Sequence, residues 1–414
     1  MNSLEPVNWE LVTFSELDMI LRISGFLDES YIDSELSISL TPLCLACKYN
    51  REDLVTVLLH HNAQVNKSSS YYNRLPLHFA CNHNQGNVGL VRKIIEAKAN
   101  LNASDSIGNT SLHIACAKSN IPVVKLLIKN GASVNIKNMK GDTPLVRACI
   151  TQCIEIVEIL IKAGCDTNIP DGLPLEIAIQ VSSVEILRLL IEGGANLHEG
   201  PYISQACERG DIESMKILHR HGADVNKTNK LGMSPLQIAC FSVRPQQEVV
   251  RLLLKWGANI HASSHMRATA LHFACHTHDI VKIRLLLAYG ADVNAQDSLQ
   301  FSPLMMAIQN FSPQSPESLL NSVVVIRLLL AAGTKLKKDN FERVKSMILF
   351  VQERKEELVN LLYLCVSQPA DLQALCRVSI RRHVRPDIDQ NMDVLPLPAQ
   401  VIRYLKFLDI LDST

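Results

Sequence analysis

Two identical segments of the chain pair a histidine with a cysteine: residues 77–81 and residues 271–275 both read LHFAC. Imidazole and thiolate are ligands that zinc prefers, so the two segments could supply two halves of a metal site. A histidine close to a cysteine could also activate the thiol as a nucleophile, which would make the segments a duplicated catalytic pair. In a third interpretation both residues are scaffolding. The elements that position them decide among the three.

Both segments belong to a series of nine similar ones. The residue that corresponds to Leu77 lies at positions 43, 77, 112, 145, 175, 203, 236, 271 and 304, so the spacing stays between 28 and 35 residues. A sustained period near 33 residues around a T-P-L-H-x-A core resembles the ankyrin repeat. The sequence therefore predicts an all-α fold, an ankyrin-repeat solenoid of about nine helix–turn–helix repeats, because each unit is too small to bury its own core.

The signals that begin and end helices recur with the same period. A Thr or Ser followed by Pro supplies an N-cap and a first helical residue, as at Thr41-Pro42, Thr143-Pro144, Ser234-Pro235 and Ser302-Pro303. The position after the second helix favours a residue that tolerates positive φ and holds Gly in seven units, whereas Asn62 and Lys98 occupy it in the first two. A short polar finger then leads to the next unit, beginning near Asn66, Asn102, Asn135, Asn168, Asn226 or Asn294.

The repeats favour a packing role for the cysteines. One repeat position, directly after the small alanine of the first helix, holds Cys47, Cys81, Cys116, Cys149, Cys207, Cys240 and Cys275. A free thiol suits such a small apolar site. The ankyrin resemblance implies that the motif histidines bridge neighbouring turns by hydrogen bonds; these are His78, His113 and His272.

We expect neither a metal site nor catalysis. The densest cluster, His272, Cys275, His276 and His278, lacks a second ligand pair at zinc spacing, and so does Cys44-x-x-Cys47. The chain contains no GxxxxGK[ST], HExxH or G-x-S-x-G motif and no RING-like Cys/His ladder. The sequence thus predicts no catalytic residue, no metal and no cofactor. A zinc enzyme built on residues 272–278 is the alternative, and bound zinc would support it.

Charge and hydropathy exclude some classes of partner. The 414 residues contain 41 Lys or Arg and 41 Asp or Glu, so no overall field attracts nucleic acid or an anionic membrane. The N-terminus has no positively charged start that leads into an apolar stretch, and no apolar run reaches the roughly 18 residues of a spanning helix. We expect an intracellular protein of the cytoplasm, with the nucleus also open, whose cysteines are reduced.

The finger tips are the expected substrate surface, since in ankyrin arrays they project beside the concave helix face. Protein interfaces favour aromatic, Met and Arg residues, and the local excess of cations suggests an acidic ligand. The candidates are Tyr71, Tyr72, Arg74, Lys137, Met139, Lys140, Lys227, Lys230, Met266, Arg267 and Phe301. Solvated tips without a specific ligand remain an alternative. A proline-containing loop at residues 311–318 could be a further contact or a tolerated insertion.

Two motifs follow one another near the C-terminus. Leu372, Cys376 and Ile380 are spaced four apart, with Leu375 beside them, so a short helix would carry them as one apolar stripe. The sequence LPLP follows at residues 395–398. This pair of motifs resembles the SOCS box, and ankyrin repeats followed by such a box resemble the ankyrin repeat and SOCS box family.

The resemblance implies a function and the residues that carry it. Elongin C would be contacted by Leu372, Leu375, Cys376 and Ile380, and cullin 5 would be selected by Leu395, Pro396, Leu397 and Pro398. The chain would be the non-catalytic receptor of a ubiquitin ligase that also contains elongin B and a RING subunit. It would promote the ubiquitination and proteasomal degradation of an unidentified substrate protein. A non-catalytic ankyrin scaffold or signalling inhibitor without a ligase role is the alternative.

The expected organisation has four parts. Residues 1–40 are an N-terminal segment that could be a degenerate capping repeat, and residues 41–338 are the ankyrin repeats. Residues 339–366 are expected to form capping helices, because an apolar end face left open would aggregate. Residues 367–414 are the SOCS box.

Overall fold

The computed structural model of the protein describes residues 40–334, except for residues 71, 84–86, 170–171, 245, 310–323 and 327. Residues 1–39, the expected capping helices 339–366, the expected SOCS box 367–414 and the loop 311–318 therefore lie outside the described residues. Every regular element within the described ranges is an α-helix. The predicted all-α repeat fold is confirmed. In the same ranges, no helix has the length and apolar character needed to span a bilayer.

The helices come in pairs, one pair for each repeat, and we number the repeats one to nine along the chain. The first helices are Pro42–Lys48, Pro76–Ala80, Ser111–Ala117, Pro144–Ile150, Leu173–Gln180, Tyr202–Arg209, Pro235–Phe241, Ala270–His276 and Pro303–Gln309. The second helices are Glu52–His60, Val88–Glu96, Ile121–Lys129, Ile154–Lys162, Val184–Glu192, Ile212–Arg220, Gln247–Lys255 and Ile280–Ala288. In repeat nine the helical residues after the first helix are 324–326 and 328–331.

The chain divides into two compact units, Met1–Glu199 and Gly200–Thr414. The first unit contains repeats one to five and the second contains repeats six to nine. Within each unit, first helices pack on the first helices of neighbouring repeats, and second helices pack on second helices. Each repeat thus buries its apolar face against its neighbours, as expected of a linear repeat array.

The core follows the repeat motif. The residue at the Leu77 position is at most 1% exposed in all nine repeats. The motif alanine, which is Ala115 in repeat three, is also buried in every repeat. A methyl group at this place lets neighbouring helices approach closely, while the leucine fills the space between them.

The helices begin where the sequence signals place them, but the expected side-chain cap bond is absent at Thr143. Thr41 Oγ1 accepts a hydrogen bond from the Cys44 N–H at 3.2 Å, and Ser234 and Ser302 make the equivalent N-cap bonds. The second residue after the end of the second helix has positive φ in all nine repeats, including 59° at Asn62 and 66° at Lys98. Both exceptions to glycine therefore adopt the left-handed conformation that was predicted for them.

A second left-handed position was not predicted. It lies in the turn between the two helices, four residues after the motif alanine, and it holds Asn50, Ser119, Gln152, Ser182, Gly210 and His278. These φ values lie between 52° and 71°. The six residues belong to five different types, so no sequence pattern marks the position.

Candidate functional site

Four of the fingers are each shaped by one carboxylate or amide side chain. Asp105 Oδ1 accepts hydrogen bonds from the backbone N–H groups of Ile107 at 3.1 Å and Asn109 at 2.9 Å. Asn138, Asn229 and Asp297 make the same two bonds to the residues two and four positions further on. This Asx turn directs the residue two positions after the Asp or Asn away from the protein.

Neighbouring finger tips are joined through their backbones. In the first unit the Ser106 N–H donates to the Tyr72 carbonyl at 2.8 Å, and the Met139 N–H donates to the Ile107 carbonyl at 3.1 Å. In the second unit the Ser298 N–H donates to the Met266 carbonyl at 2.9 Å. Main-chain hydrogen bonds therefore hold the tips of repeats two to four in register in the first unit, and those of repeats eight and nine in the second.

The motif histidines connect each repeat to the next finger. His113 Nδ1 accepts from the Thr110 N–H at 3.2 Å, and its Nε2 lies 3.0 Å from the Asp142 carbonyl. A neutral ring with the proton on Nε2 satisfies both contacts, and burial lowers the pKa of His113. His78 and His272 make equivalent contacts and their pKa values are lowered by burial as well.

Glutamine performs the same task in repeat seven. Gln237 Oε1 accepts from the Ser234 N–H at 2.7 Å, while its Nε2 donates to the carbonyls of Ala262 and Ala268 at 2.8 and 2.9 Å. An amide presents an acceptor and donors much as a neutral imidazole does. The bridging role of the motif histidines is therefore structural.

The asparagines at the base of the fingers form a further ladder. Asn102 Oδ1 accepts from the Ser133 N–H of the next repeat at 2.8 Å, and Asn226 Oδ1 accepts from the Asn259 N–H at 2.7 Å. Asn66, Asn135 and Asn168 make the same inter-repeat contact. The sequence predicted where the fingers begin, but not that these side chains join successive repeats.

Most of the predicted tip residues are accessible. Tyr72, Met139 and Met266 are 53%, 77% and 60% exposed. The exposed cations are Lys137, Lys140, Lys230 and Arg267, while Lys227 and Arg74 are half-buried. Tyr71 lies outside the described residues.

Arg74 is engaged within its own unit. Its Nε lies 3.2 Å from a carboxylate oxygen of Asp105, which is itself buried, and its guanidinium lies 5.9 Å from the centre of the Tyr72 ring. This arrangement braces two neighbouring fingers and leaves Arg74 with little charge to offer a ligand.

The placement of Phe301 at a finger tip is wrong. Phe301 is only 6% exposed. Its N–H donates to Asp297 Oδ1 at 2.8 Å, and its carbonyl lies 3.0 Å from Nε2 of His272. Phe301 is the last residue of the Asx turn, whose side chain points into the repeat stack, so it supports the finger and cannot meet a ligand.

Three apolar tip residues were missed. Ile107, Leu231 and Leu299 are 45%, 66% and 58% exposed. Each lies two residues after the Asp or Asn of an Asx turn and directly before its left-handed residue. This spacing is visible in the sequence and could have identified them. The tips are consequently more apolar than the predicted set suggested.

The cysteines and histidines of the two LHFAC segments are buried in the core. Burial raises the pKa of Cys149 and Cys240 to about 12 and that of Cys275 well above its usual value, which disfavours a reactive thiolate. His272 uses both ring nitrogens in hydrogen bonds, and His278 Nε2 lies 2.9 Å from the Ala307 carbonyl. Within the described ranges, no group of three or more His, Cys, Asp or Glu residues is placed to hold a metal ion.

Repeat seven departs from the others at the end of its first helix. Phe241 is 48% exposed, and its ring centre lies 5.6 Å from that of Phe273 and 5.7 Å from that of His276. The longer turn that follows exposes 92% of Val243. Lys282, which is 0% exposed, donates to the Ser242 carbonyl at 2.6 Å and so fastens the start of this turn to repeat eight.

The predicted contacts for elongin C (Leu372, Leu375, Cys376 and Ile380) and for cullin 5 (Leu395, Pro396, Leu397 and Pro398) lie outside the described residues.

Family models cover most of the chain. A model of ankyrin repeats in three copies matches residues 26–105, 84–171, 112–201 and 175–264, and a single ankyrin repeat matches residues 267–298. A SOCS box model matches residues 368–406.

Curated human proteins are similar over different lengths. Ankyrin repeat and SOCS box protein 6 is 27% identical over 385 residues, which cover 88% of this chain and 72% of that protein. Ankyrin repeat and SOCS box protein 16 is 27% identical over 266 residues, which cover 56% of this chain and 59% of that protein. Transient receptor potential cation channel subfamily A member 1 is 29% identical over 127 residues, which cover 27% of this chain and 11% of that protein. The chain thus spans about a tenth of the channel protein and nearly three quarters of the first SOCS box protein.

Proposed function

Because the chain belongs to the ankyrin repeat and SOCS box family, we propose that it is the substrate-recognition subunit of an elongin B/C–cullin 5–RING ubiquitin ligase. The observation that carries this proposal is the SOCS box match at residues 368–406, which follows ankyrin repeat matches that extend to residue 298. In this proposal the receptor itself does no chemistry. It holds a substrate lysine near a charged ubiquitin carrier, and proximity supplies the rate enhancement.

The SOCS box residues divide between two partners. The spacing of Leu372, Leu375, Cys376 and Ile380 would place them on one face of a helix, and we assign this apolar stripe to elongin C with Leu372 as its anchor. Leu395, Pro396, Leu397 and Pro398 are assigned to the selection of cullin 5. A RING subunit completes the ligase.

The ankyrin repeats supply the substrate surface. Of the residues expected there, the accessible ones are Tyr72, Lys137, Met139, Lys140, Lys230, Met266 and Arg267, joined by Ile107, Leu231 and Leu299. Exposed apolar and cationic side chains on a backbone fixed by hydrogen bonds support a role in protein recognition, because a rigid surface loses little conformational entropy on binding.

Co-purification with elongin B and elongin C tests the ligase role. We expect the intact chain to capture both proteins and the Leu372→Asp/Cys376→Asp variant to lose them, because an unpaired carboxylate in an apolar pocket costs several kcal/mol. Ala374→Asp/Arg381→Asp is the matched control, since at helical spacing these residues fall opposite the apolar stripe. If the intact chain captures neither elongin, the proposed function is wrong and the repeats act as a scaffold.

A further inference from the structure

We infer that the finger tips of repeats seven to nine form a docking ridge for an acidic segment of a partner protein that carries regularly spaced apolar side chains. The ridge consists of Leu231, Met266 and Leu299 together with the cations Lys230 and Arg267. This inference rests on the proposed function, because it names the class of substrate segment that the ankyrin repeats would hold.

The apolar part of the ridge is repeated without interruption. Leu231, Met266 and Leu299 occupy the same place in three successive fingers, and each is at least 58% exposed. The tips of repeats eight and nine are joined by the bond between Ser298 and Met266. The His265 ring lies against Gly232, where an added Cβ would come within 2.3 Å of it, so the tips of repeats seven and eight are also in contact. A contiguous apolar row on a surface is a sign of an interaction site.

The exposed charge beside this row has one sign. The tip segments 227–233, 261–268 and 296–301 contain a single carboxylate, that of Asp297. Asp297 is 4% exposed, and its Oδ1 accepts hydrogen bonds from the N–H groups of Leu299 and Phe301. Its carboxylate is therefore buried and does not form part of the exposed surface. Lys230 and Arg267 are exposed, and neither forms an ion pair with another described residue. A ligand that complements this ridge must bring its own carboxylates.

The first unit is less suited to the same ligand. There the cation Arg74 is already paired with Asp105 at 3.2 Å. The tip position that holds Leu231 and Met266 in the second unit is occupied by Lys140 in repeat four, which interrupts the apolar row. Ile107 and Met139 are nevertheless exposed tip residues. The matched control for substitutions in the ridge therefore uses exposed apolar residues away from the tips, Ile150 and Ile154, which are 48% and 43% exposed.

The spacing of the tips indicates the pattern of the ligand. Packed helices lie about 8–10 Å apart, and each tip leads into one of the packed first helices. A chain in the polyproline II conformation has three residues per turn and rises about 3.1 Å per residue, so it presents every third side chain on the same face at intervals of about 9 Å. A partner segment with an apolar side chain at every third residue and Asp or Glu between them would place its apolar groups on successive tips and its carboxylates near Lys230 and Arg267.

Fluorescence anisotropy with the full-length chain tests this inference. The probe is a fluorescein-labelled peptide of five Asp-Asp-Leu units, compared with peptides of five Lys-Lys-Leu units and five Asp-Asp-Ser units. We expect the Asp-Asp-Leu peptide to bind at least ten-fold more tightly than either of the others. Leu231→Ser/Met266→Ser/Leu299→Ser should weaken its binding at least ten-fold, whereas Ile150→Ser/Ile154→Ser, at exposed positions away from the finger tips, should leave it unchanged.

Charge reversal separates the two contributions. Lys230→Glu/Arg267→Glu should weaken the binding of the Asp-Asp-Leu peptide and strengthen the binding of the Lys-Lys-Leu peptide, because the charge of the ridge is reversed. Both altered side chains are exposed, so the fold is retained. Equal binding of the Asp-Asp-Ser peptide, or competition by single-stranded oligo-dT at equal charge, would show a general polyanion site and overturn the inference. Absence of binding by the Asp-Asp-Leu peptide would overturn it as well.

Elongin capture by the same preparations distinguishes the two proposals. A chain that captures elongins B and C but ignores the peptide retains the ligase role and refutes the ridge. A chain that binds the peptide at the ridge without capturing elongins refutes the ligase role and leaves the ridge in place.

Discussion

At the scale of single residues, the motif histidine matters because it satisfies buried backbone groups on two repeats at once. His113 is 1% exposed and sits between the Thr110 N–H and the Asp142 carbonyl. Replacing it with an apolar residue leaves the Thr110 N–H without its partner, whereas the Asp142 carbonyl keeps the hydrogen bond from the Asn138 N–H at 2.9 Å. A buried unsatisfied donor or acceptor costs about 1–3 kcal/mol.

His113→Leu is therefore expected to lower the free energy of unfolding by about 1–3 kcal/mol, measured by urea denaturation followed by circular dichroism. His113→Gln should cost less than about 1 kcal/mol, because Gln237 already makes the same contacts in repeat seven. His198→Leu makes the same chemical change at an exposed position and should stay within about 0.5 kcal/mol. Equal losses for the Leu and Gln variants of His113 would contradict the bridging role.

The same histidines make stability depend on pH. Burial lowers the pKa of His78, His113 and His272 in the folded protein, whereas the unfolded chain titrates near pKa 6.5. Below about pH 6.5 the unfolded state binds more protons, so stability falls as pH decreases and is fully present above this value. Each histidine can contribute up to about 1.4 kcal/mol per pH unit.

Urea denaturation at pH 7.5 and at pH 5.5 tests this linkage. The wild-type chain should lose stability at the lower pH, and a variant with Gln at positions 78, 113 and 272 should lose clearly less, because glutamine does not titrate. An unchanged loss in the triple variant would assign the pH dependence to other groups.

At the scale of elements, the fingers of the first unit depend on close approach of their backbones. Gly108 has φ of 81°, and an added Cβ would lie 2.6 Å from the Met139 nitrogen and 2.9 Å from the Asn138 Cα. Gly141 holds the same place in the next finger with φ of 83°, but no atom lies within 4 Å of its added Cβ. The two positions share the conformational requirement and differ only in the contact.

Gly141→Ala should therefore destabilise the protein by about 1–2 kcal/mol, the cost of a left-handed alanine. Gly108→Ala should cost measurably more, because the backbone of the adjacent finger must move and the bond between Met139 and Ile107 is strained. Comparison of the two unfolding midpoints in urea checks this difference. If the two variants are equally stable, the finger tips are not in the close contact described.

The helices and their ends could be predicted from the sequence because they depend on local, repeated chemistry. The positive φ of Lys98 was predicted from its place in the period although lysine is a poor residue for it. The turn between the helices could not be predicted in this way, since residues as different as Gln152 and His278 adopt the same left-handed conformation there. Two local backbone hydrogen bonds close the helix there, from the N–H groups of Gln152 and Cys153 to the carbonyls of Cys149 and Ala148, and this Schellman motif requires the left-handed residue whatever its side chain.

The finger tips show a similar division between what could be predicted from the sequence and what could not. The sequence identified the finger segments, but Phe301 was assigned to the tip because it is aromatic. The orientation of Phe301 is instead set by the hydrogen bonds of its backbone to Asp297 and His272. Leu231 and Leu299 lie two residues before such inward positions and point outward. In a turn, residues that are only one or two positions apart can face opposite sides, one toward solvent and the other toward the core. The composition of a finger therefore does not define its binding surface.

At the scale of the whole molecule, the proposed function separates substrate recognition from ligase recruitment along the sequence. The ridge lies between residues 230 and 299, whereas the SOCS box match lies at residues 368–406. In a repeat array, stability arises mainly from contacts between neighbouring units, so removal of a distant segment leaves other repeats folded. The two activities should therefore be separable by truncation.

A chain that ends at residue 366 is expected to lose capture of elongin B and elongin C while it retains binding of the Asp-Asp-Leu peptide within about two-fold. The circular dichroism spectrum and the thermal midpoint of the repeats control for folding, because the stack is held by contacts between neighbouring repeats. In cells, the truncated receptor should compete with the intact one for substrate and thereby raise substrate levels. If the truncated chain instead keeps every cellular activity of the intact chain, the protein acts as an ankyrin scaffold and the ligase role is refuted.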